Sequence, residues 1–228
     1  MQTEDPYWLN EAYQNPINST DVGLVQRNIV ISKSAIALLF FCFNRQEKFL
    51  DYAGGYGMFT RLMRDFGYDY YTTDPFTPNL LAKGFDTIPE RIELVSALEC
   101  FEHFADPLAE IEKILAYSRN VFFTTQLIPE PAPKPDQWWY YAPHHGQHVA
   151  FYTPKTLRFI ANKYNLQVYS LLNYHLFTEK HLNSIWYKFL IAAGRLGLAE
   201  LLRFFQKSRT IQDSQLSVNQ PYPTTHEL

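Results

Sequence analysis

The fold of this chain is decided by one stretch, Phe49-Leu50-Asp51-Tyr52-Ala53-Gly54-Gly55-Tyr56-Gly57-Met58-Phe59. A short apolar strand runs into a turn of small residues, and an apolar helix over residues 58–66 follows at once. Glycine permits positive φ and removes the Cβ that would keep a ligand away from the backbone. The first N–H groups of the helix would point back over this turn. The pattern is therefore typical of a nucleotide-like ligand bound at the carboxyl end of a first strand.

The composition is that of a globular protein with one core. The chain has 228 residues, of which 46% are hydrophobic and 17% aromatic, and its net charge is −3. This length fits one domain with appended helices, and the aromatic content favours an aromatic-lined cleft. No basic run stands out, so the chain lacks the electrostatic footprint of a nucleic-acid-binding protein.

Cysteine usage and the polar N-terminus bear on the compartment. Cys42 and Cys100 lie far apart in apolar runs, which is typical of core thiols in a reducing compartment. Residues 1–5 do not resemble a signal peptide, and the longest apolar run, residues 35–43, is too short to span a bilayer. We expect a cytoplasmic protein without a membrane span, and the sequence indicates no oligomeric state.

Strand and helix patterns alternate along the chain, and Asp106-Pro107 and Thr153-Pro154 predict two helix starts. The predicted strands span residues 48–53, 68–73, 84–86 (a brief edge strand), 92–98, 120–125, 166–172 and 174–178. This alternation is typical of an α/β fold with a mostly parallel sheet covered on both faces.

The predicted organisation has a core at residues 47–178 and helical segments on either side. Residues 1–46 would form an N-terminal helical cap, residues 179–210 a C-terminal helical extension and residues 211–228 a flexible tail. Within the core, residues 126–152 form a long irregular segment rich in proline, aromatic residues and histidine. Because loops of this length in a compact domain are usually functional, we predict that it forms a lid.

Two acidic residues strengthen the interpretation of the glycine turn. Asp51 lies at the end of the first strand, where a carboxylate is costly unless donors bind it. Asp74 ends the second strand, where an acid can accept both hydroxyls of a ribose. Either acid could instead be an ordinary turn residue.

A second motif, at residues 97–107, follows a predicted buried strand and therefore falls at the same edge of the sheet. Glu99 is expected to face the cleft. For Glu102 and His103 two interpretations stay open. One gives His103 a role in the site, and the other places both residues in a solvated turn that His103 orders by hydrogen bonding.

Together these motifs resemble those of the class I S-adenosylmethionine-dependent methyltransferases. The matching residues are Asp51-x-Ala53-Gly54-Gly55-x-Gly57, Asp74, and Leu98-Glu99-x-x-Glu102-His103-Phe104-x-Asp106-Pro107. Residues 146–157 are similar to the branch with ubiquinone-pathway and sugar methyltransferases, and to methyltransferases found beside bacterial polysaccharide glycosyltransferases. The resemblance covers residues 48–172 and implies a Rossmann-like three-layer sandwich with a mostly parallel, seven-strand-type sheet.

The resemblance also implies the cofactor, S-adenosyl-L-methionine. The glycine turn would hold its methionine part, and the acid after the second strand would bind its ribose. The predicted cofactor-binding residues are Asp51, Ala53, Gly54, Gly55, Gly57, Asp74, Pro75 and Glu99. Ala53 stands where the family pattern has its first glycine. The adenine-binding acid is hard to place, and Asp86 is the candidate, while Arg27 could pair with the cofactor carboxylate or form a surface salt bridge.

Methyl transfer from a sulfonium needs an in-line nucleophile and, for a hydroxyl acceptor, removal of its proton. Histidine titrates near neutral pH, so we predict His148 as the catalytic base, with His145 behind it. These histidines could instead be structural or face solvent. No cysteine accompanies them, and we expect no metal. Trp139, Tyr140 and His103 are predicted to bind the acceptor, although the aromatic pair could serve only to seal the lid.

The predicted function is S-adenosylmethionine-dependent methylation of a small polar acceptor, with a sugar or glycan as the leading class. Two alternatives stay open at this point. One is a non-catalytic cofactor-binding partner protein, and the other is an NAD-dependent oxidoreductase on a related fold.

Overall fold

The computed structural model describes residues 22–142 and 148–219. Its α-helices are α1 (Leu24–Cys42), α2 (Met58–Asp65), α3 (Pro107–Tyr117), α4 (Pro154–Lys163), α5 (Ser184–Ala193), α6 (Ala199–Leu202) and α7 (Thr210–Asn219). Its strands are β1 (Lys48–Tyr52), β2 (Asp69–Thr73), β3 (Leu94–Leu98), β4 (Val121–Thr124), β5 (Gln167–Leu171) and β6 (Tyr174–Thr178). A π-helical turn over Gly194–Leu198 joins α5 to α6, and 3₁₀ turns form at Phe101–His103, Trp139–Tyr141 and Arg203–Phe205.

The strands form one mixed sheet in the order β2-β1-β3-β4-β6-β5. β1 pairs in parallel with β2 and β3, and β3 with β4, whereas β6 runs antiparallel to both β4 and β5. The carboxyl ends of the first four strands therefore meet at one edge of the sheet, as the sequence predicts.

The sheet of the described residues has six strands, so the prediction of seven is wrong. The predicted edge strand at residues 84–86 does not form. There only the Phe85 carbonyl accepts a backbone bond from β2, from the Thr72 N–H at 2.8 Å. Gly84 has φ of +84°, which turns the chain away from an extended path. A single bond of this kind does not make a ladder.

Alternating side chains of the strands pack into two hydrophobic cores, one on each face of the sheet. Phe49, Tyr70 and Phe122 face the layer of α1, α2 and α5. Leu50 and Phe123 face the layer of α3 and α4. Since successive side chains of a strand point to opposite faces, both sides of a sheet with continuous apolar strands must be covered by helices.

Both predicted helix starts are confirmed. Asp106 accepts a hydrogen bond from the Ala109 N–H at 3.1 Å, and proline opens α3. Thr153 accepts from the Thr156 N–H at 3.0 Å, and proline opens α4. These caps satisfy backbone donors that have no partner inside the helix.

Within the described residues, α1 is the one helix whose length and apolar composition would allow it to cross a membrane. In this structure 44% of its apolar stretch is buried inside the protein, and its side chains join the core on one face of the sheet. A core helix passes the same test of length and composition.

The C-terminal segment differs from its prediction. Residues 211–219 fall in the predicted flexible tail but belong to α7, because a charged contact anchors that helix. Asp213 is buried and accepts hydrogen bonds from Arg64 and Arg61 on α2. Residues 1–21 of the predicted N-terminal cap lie outside the described residues.

Candidate active site

A cleft of about 1920 Å³ opens at the carboxyl ends of β1, β2 and β3. Its described lining comes from α1, the glycine turn, the ends of these strands, the 3₁₀ turn at Phe101–His103 and the predicted lid. Single-ligand pockets typically measure roughly 300–1,000 Å³. The cleft therefore has room for a cofactor and an acceptor side by side.

The glycine turn has no room for side chains on its inner side. A Cβ on Gly54 would lie 2.3 Å from Thr72 Oγ1, and one on Gly57 would lie 2.5 Å from Asn79 Oδ1. A Cβ on Gly55 would meet nothing within 4 Å, so the space beside Gly55 is open to a ligand. Ala53 has φ of +55°, a conformation that a glycine would adopt without strain.

Asp51 lies beneath this turn and is 1% exposed. Burial raises the pKa of its carboxyl to about 8, and the nearby Asp74 raises it further, while a hydrogen bond from Thr60 Oγ1 at 3.3 Å lowers it. Asp51 therefore borders the cleft as a carboxyl that its surroundings push toward the neutral form.

Asp74 organises the far side of the turn. Its Oδ2 accepts a hydrogen bond from the Gly55 N–H at 2.9 Å, and its Oδ1 accepts from the N–H groups of Phe76 and Thr77 at 2.8 Å each. Oδ2 keeps lone-pair capacity for one more donor, as a ribose hydroxyl would require. Pro75 also lines the cleft.

A smaller cavity of about 330 Å³ adjoins Asp74 and reaches Asp86. Asp86, the candidate for the adenine end of the cofactor, thus lines the same cavity as the predicted ribose ligand Asp74. The preceding Phe85 is buried under the Arg64 guanidinium, which lies 3.4 Å from the ring centroid. Its ring is therefore not available to stack on a base.

Glu99 lines the cleft at the end of β3 in a left-handed backbone conformation, with φ of +50°. Its N–H donates to Thr124 Oγ1 at 2.9 Å, which holds the bend in place. Burial raises the pKa of its carboxyl to about 7, and Glu102 adds to the rise, while Thr124 and the positive charge of Arg27 lower it. Arg27 lines the same cleft from α1.

Glu102, His103 and His148 come together in the cleft that the glycine turn also lines. The ligand atoms that these three side chains offer all lie within 4.8 Å of one another. The N–H groups of Val149 and Ala150 donate to the Glu102 carbonyl at 2.8 and 3.0 Å, which fixes the lid beside the 3₁₀ turn. This contact brings together two motifs that are separate in the sequence.

Glu102 is 1% exposed, so the interpretation of Glu102 and His103 as a solvated turn is wrong for Glu102. Burial raises the pKa of its carboxyl, although Tyr140, Thr125 and His148 act in the opposite direction. Glu102 is not among the site residues predicted from the sequence. The Glu-x-x-Glu-His spacing was the signal that could have found it, since it places Glu102 directly before His103.

The ring of His148 has a defined orientation. Its Nδ1 lies 2.6 Å from the Tyr140 carbonyl oxygen, which can only accept a hydrogen bond. Nδ1 therefore carries a proton, and Nε2 of the neutral ring carries a lone pair. His145, the second predicted base, lies outside the described residues.

The two predicted aromatic acceptor contacts differ in exposure. Trp139 is 76% exposed at the rim of the cleft, whereas Tyr140 is 2% exposed. The Tyr140 ring packs against His148 with centroids 4.6 Å apart, and its hydroxyl lies 3.3 Å from Thr125 Oγ1. Tyr140 thus forms the inner wall of the cleft, and Trp139 offers an open ring face at its mouth.

Similarity to known proteins identifies the family of this chain. The family model described as "Methyltransferase domain" matches residues 27–171, well over half of the chain. No curated protein matches. Among solved structures, TnmH is 17% identical, with 76% of this chain and 60% of that chain covered and a TM-score of 0.50. At this identity the likeness shows the fold alone.

Two further solved structures are similar at lower scores. The magnesium protoporphyrin IX methyltransferase ChlM from Synechocystis PCC 6803, crystallised with bound SAH, is 12% identical, with 74% of this chain and 89% of that chain covered and a TM-score of 0.49. The mitomycin 7-O-methyltransferase MmcR is 12% identical, with 74% of this chain and 58% of that chain covered and a TM-score of 0.46.

The family match decides between the alternatives that the glycine turn left open. It favours the methyltransferase over the NAD-dependent oxidoreductase and over a non-catalytic partner protein. The site fits the cofactor, because the turn is open at Gly55 and Asp74 keeps a lone pair for a hydroxyl. The chain belongs to the Methyltransferase domain family and is a class I S-adenosylmethionine-dependent methyltransferase.

Proposed function

We propose that this enzyme methylates a hydroxyl of a sugar or glycan, and that the acceptor binds between the glycine turn and the cluster of Glu102, His103 and His148. The single observation that carries the proposal is the exposed Trp139 ring, which lines the same cleft as the polar cluster of Glu102, His103 and His148. A sugar presents an apolar C–H face and hydroxyl edges. The pairing of an aromatic face with polar groups deeper in the cleft suits that shape.

The residues of the cleft divide the work in this proposal. The bound cofactor supplies a methyl group on a positively charged sulfur. The glycine turn holds the methionine part, Asp74 holds the ribose, and Asp51 lies beneath the turn. Trp139 orients the acceptor, and the cluster of Glu102, His103 and His148 assists removal of the proton from the attacking hydroxyl. Because a sulfonium is already a good leaving group, holding the acceptor oxygen in line contributes most of the acceleration.

The proposed transfer is balanced without a further reactant. The acceptor O–H bond breaks, an O–CH₃ bond forms from the oxygen lone pair, and the S–CH₃ bond breaks with its electron pair left on sulfur. The positive charge of the sulfonium is thereby lost, and one proton is released for each methyl group transferred.

An acceptor screen tests the proposal. The purified enzyme is incubated with S-adenosylmethionine and with panels of monosaccharides, nucleotide sugars, oligosaccharides and non-sugar hydroxyl compounds, and products are identified by mass spectrometry and NMR. We expect an O-methyl sugar. Methylation confined to acceptors without a sugar would contradict the proposed substrate class.

Trp139→Ala provides the matching variant. We expect it to raise the KM for the sugar by about tenfold and to leave the Kd for S-adenosylmethionine unchanged, because one stacked ring contributes about 0.5–1.5 kcal/mol beyond its buried area. Phe159→Ala removes an aromatic ring of α4 that is 64% exposed and absent from the cleft lining. This control should change neither quantity.

A further inference from the structure

The cluster of Glu102, His103 and His148 has the composition of a metal site. It offers one carboxylate oxygen and two imidazole nitrogens, all within 4.8 Å of one another. The two imidazole rings lie edge to face, with centroids 4.9 Å apart. Two residues come from the 3₁₀ turn after β3, and the third is held there by the backbone bonds from Val149 and Ala150 to the Glu102 carbonyl.

A second, independent observation points to a ligand in this cluster. Glu102 Oε2 is buried and has no hydrogen-bond partner among the described residues. Glu99 Oε1, at the same edge of the sheet, is likewise buried and without a partner there. A buried carboxylate oxygen without a donor is costly, and the great majority of such atoms have one. Two of them in neighbouring acids favour a positively charged occupant.

The orientation of His148 fits the role of a ligand. Its Nδ1–H donates to the Tyr140 carbonyl at 2.6 Å, so the lone pair is on Nε2. Histidines that bind metals almost always donate their other ring N–H to a carbonyl or carboxylate, which fixes the tautomer and the ring plane. The Tyr140 carbonyl is the outer partner that this pattern requires.

We propose that Glu102, His103 and His148 bind one divalent first-row transition ion, with open coordination positions toward the cleft. Two imidazoles and a carboxylate suit Zn²⁺, Fe²⁺ or Mn²⁺ better than Mg²⁺ or Ca²⁺, which prefer sets made of oxygen. This inference replaces the expectation of no metal, which rested on the lack of a nearby cysteine. Carboxylate and histidine ligands need no cysteine.

The role of the ion rests on the proposed function. Bound at an open position, the acceptor hydroxyl would have a lowered pKa and would lose its proton to solvent through the cleft. The resulting alkoxide forms the O–CH₃ bond while the S–CH₃ bond breaks, with its electron pair left on the cofactor sulfur. In this arrangement the Nε2 lone pair of His148 binds the ion and does not take the proton itself.

The test uses the full chain, freed of metal by chelator dialysis, and titrates it with Zn²⁺ in a calorimeter. We expect a saturable transition at one ion per chain. Loss of a mere outer partner weakens metal binding by 10–100-fold. Glu102→Gln and His148→Ala, which remove ligands, should therefore weaken it by about 100-fold or more. His181→Ala, at an exposed histidine outside the cluster, is the control and should bind as the parent does.

Two further measurements keep the outcome decisive. If Glu102→Gln does not fold, as judged by circular dichroism, His103→Ala replaces it, and Co²⁺ loaded into the parent should give the visible absorption of a coordinated ion. Absence of stoichiometric Zn²⁺ binding, or variants that bind as tightly as the parent, would overturn the proposal. Titration with S-adenosylmethionine is read separately, so failure of the metal site and failure of the methyltransferase reaction are distinguished.

Discussion

Arg64 and Asp213 lie 149 residues apart and are joined by two hydrogen bonds, from Nε to Oδ2 at 2.8 Å and from Nη2 to Oδ1 at 2.7 Å. Arg64 Nη1 also donates to Asp69 Oδ1 and to the Tyr70 carbonyl. Both partners of the pair are buried. The guanidinium thus ties α7 to α2 and β2, in the bidentate geometry that gives the strongest charged hydrogen bonds.

Replacing Asp213 by Asn should lower the free energy of unfolding by about 3 kcal/mol, because it takes from the buried Arg64 the carboxylate that two of its nitrogens bind and leaves only the contact with Asp69. Urea unfolding measures the change. Glu179→Gln is the control, since Glu179 pairs with Arg119 at an exposed position that does not touch α7. We expect the control to cost less than about 1 kcal/mol. Equal losses would show that the pair of Arg64 and Asp213 does not anchor α7.

The stabilisation that the pair of Arg64 and Asp213 provides should depend on pH. Burial alone would raise the pKa of Asp213, but Arg64 and Arg61 hold it below its usual value. A carboxyl with a lowered pKa in the fold stabilises it above the unfolded pKa, about 3.9 for aspartate, and that contribution is lost as the pH falls further. Urea unfolding at pH 6 and pH 3 should therefore show a smaller difference between the parent and Asp213→Asn at pH 3.

The contribution of Asp51 to folding stability should depend on pH in the opposite direction. Its pKa of about 8 lies above the unfolded value, so its contribution to stability is lost as the pH rises from about 4 to about 8. Without cofactor, Asp51→Asn should therefore raise the Tm relative to the parent at pH 8, by more than about 2 °C, and have little effect at pH 4. Asp86→Asn, at an exposed position, is the control for thermal melts at both values. A Tm difference that does not change with pH would contradict the assignment.

Gly54 should tolerate no side chain. A Cβ there would lie 2.3 Å from Thr72 Oγ1 and 2.6 Å from Asp51 Oδ2, so Gly54→Ala should destabilise the protein by about 1–3 kcal/mol. Gly23→Ala is the matched control, because a Cβ at Gly23 meets nothing within 4 Å and the residue has φ of −88°. Chemical denaturation compares the two. Equal stability of Gly54→Ala and the parent would mean that the turn can open.

Asp74→Asn should lower the affinity for S-adenosylmethionine by roughly 10- to 150-fold, since hydrogen bonds to a charged group contribute about 1.5–3 kcal/mol. The turn should also become less ordered, because the N–H groups of Gly55, Phe76 and Thr77 donate to the Asp74 carboxylate. Calorimetry measures the affinity, and Asp65→Asn, outside the cleft, should bind as the parent does. Unchanged affinity in Asp74→Asn would rule out the ribose contact.

His148→Ala should lower kcat by about 100-fold or more, the usual contribution of a group that assists proton removal. The Kd for S-adenosylmethionine should stay within about twofold, because His148 belongs to the proposed acceptor cluster with Glu102 and His103 and is not one of the predicted cofactor-binding residues. His175→Ala is not a suitable control, since His175 is buried and bonded to Ser170 and Thr125. His181→Ala serves instead, and a fully active His148→Ala would remove His148 from the mechanism.

The parts of the fold that depend on local pattern could be predicted from the sequence. Strands β1 to β4, the glycine turn and α2 follow from apolar runs, small residues and caps that are adjacent in the chain. The elements that were missed depend on distant contacts. Helix α7 is anchored by Arg64, and the 84–86 segment forms one bond to β2 where a ladder was expected.

The same distinction holds in the active site. Asp51, Asp74 and Glu99 all line the cleft, as expected for residues at the carboxyl ends of neighbouring strands. The burial of Glu102 could not be predicted, because the groups around its carboxyl, Tyr140 and His148, come from the later lid segment. A sequence shows which acids end a strand, but not which of them a later loop will cover.

The lone bond between Phe85 and Thr72 also bears on how this protein avoids sticking to itself. An outermost strand with a full row of free N–H and C=O groups is a template on which a second molecule can add its own strand. At β2 the Phe85 carbonyl accepts a hydrogen bond from the Thr72 N–H, and Arg64 Nη1 donates to the Tyr70 carbonyl. The segment at residues 84–86 therefore leaves fewer free backbone groups on β2 with which a strand of a second molecule could pair.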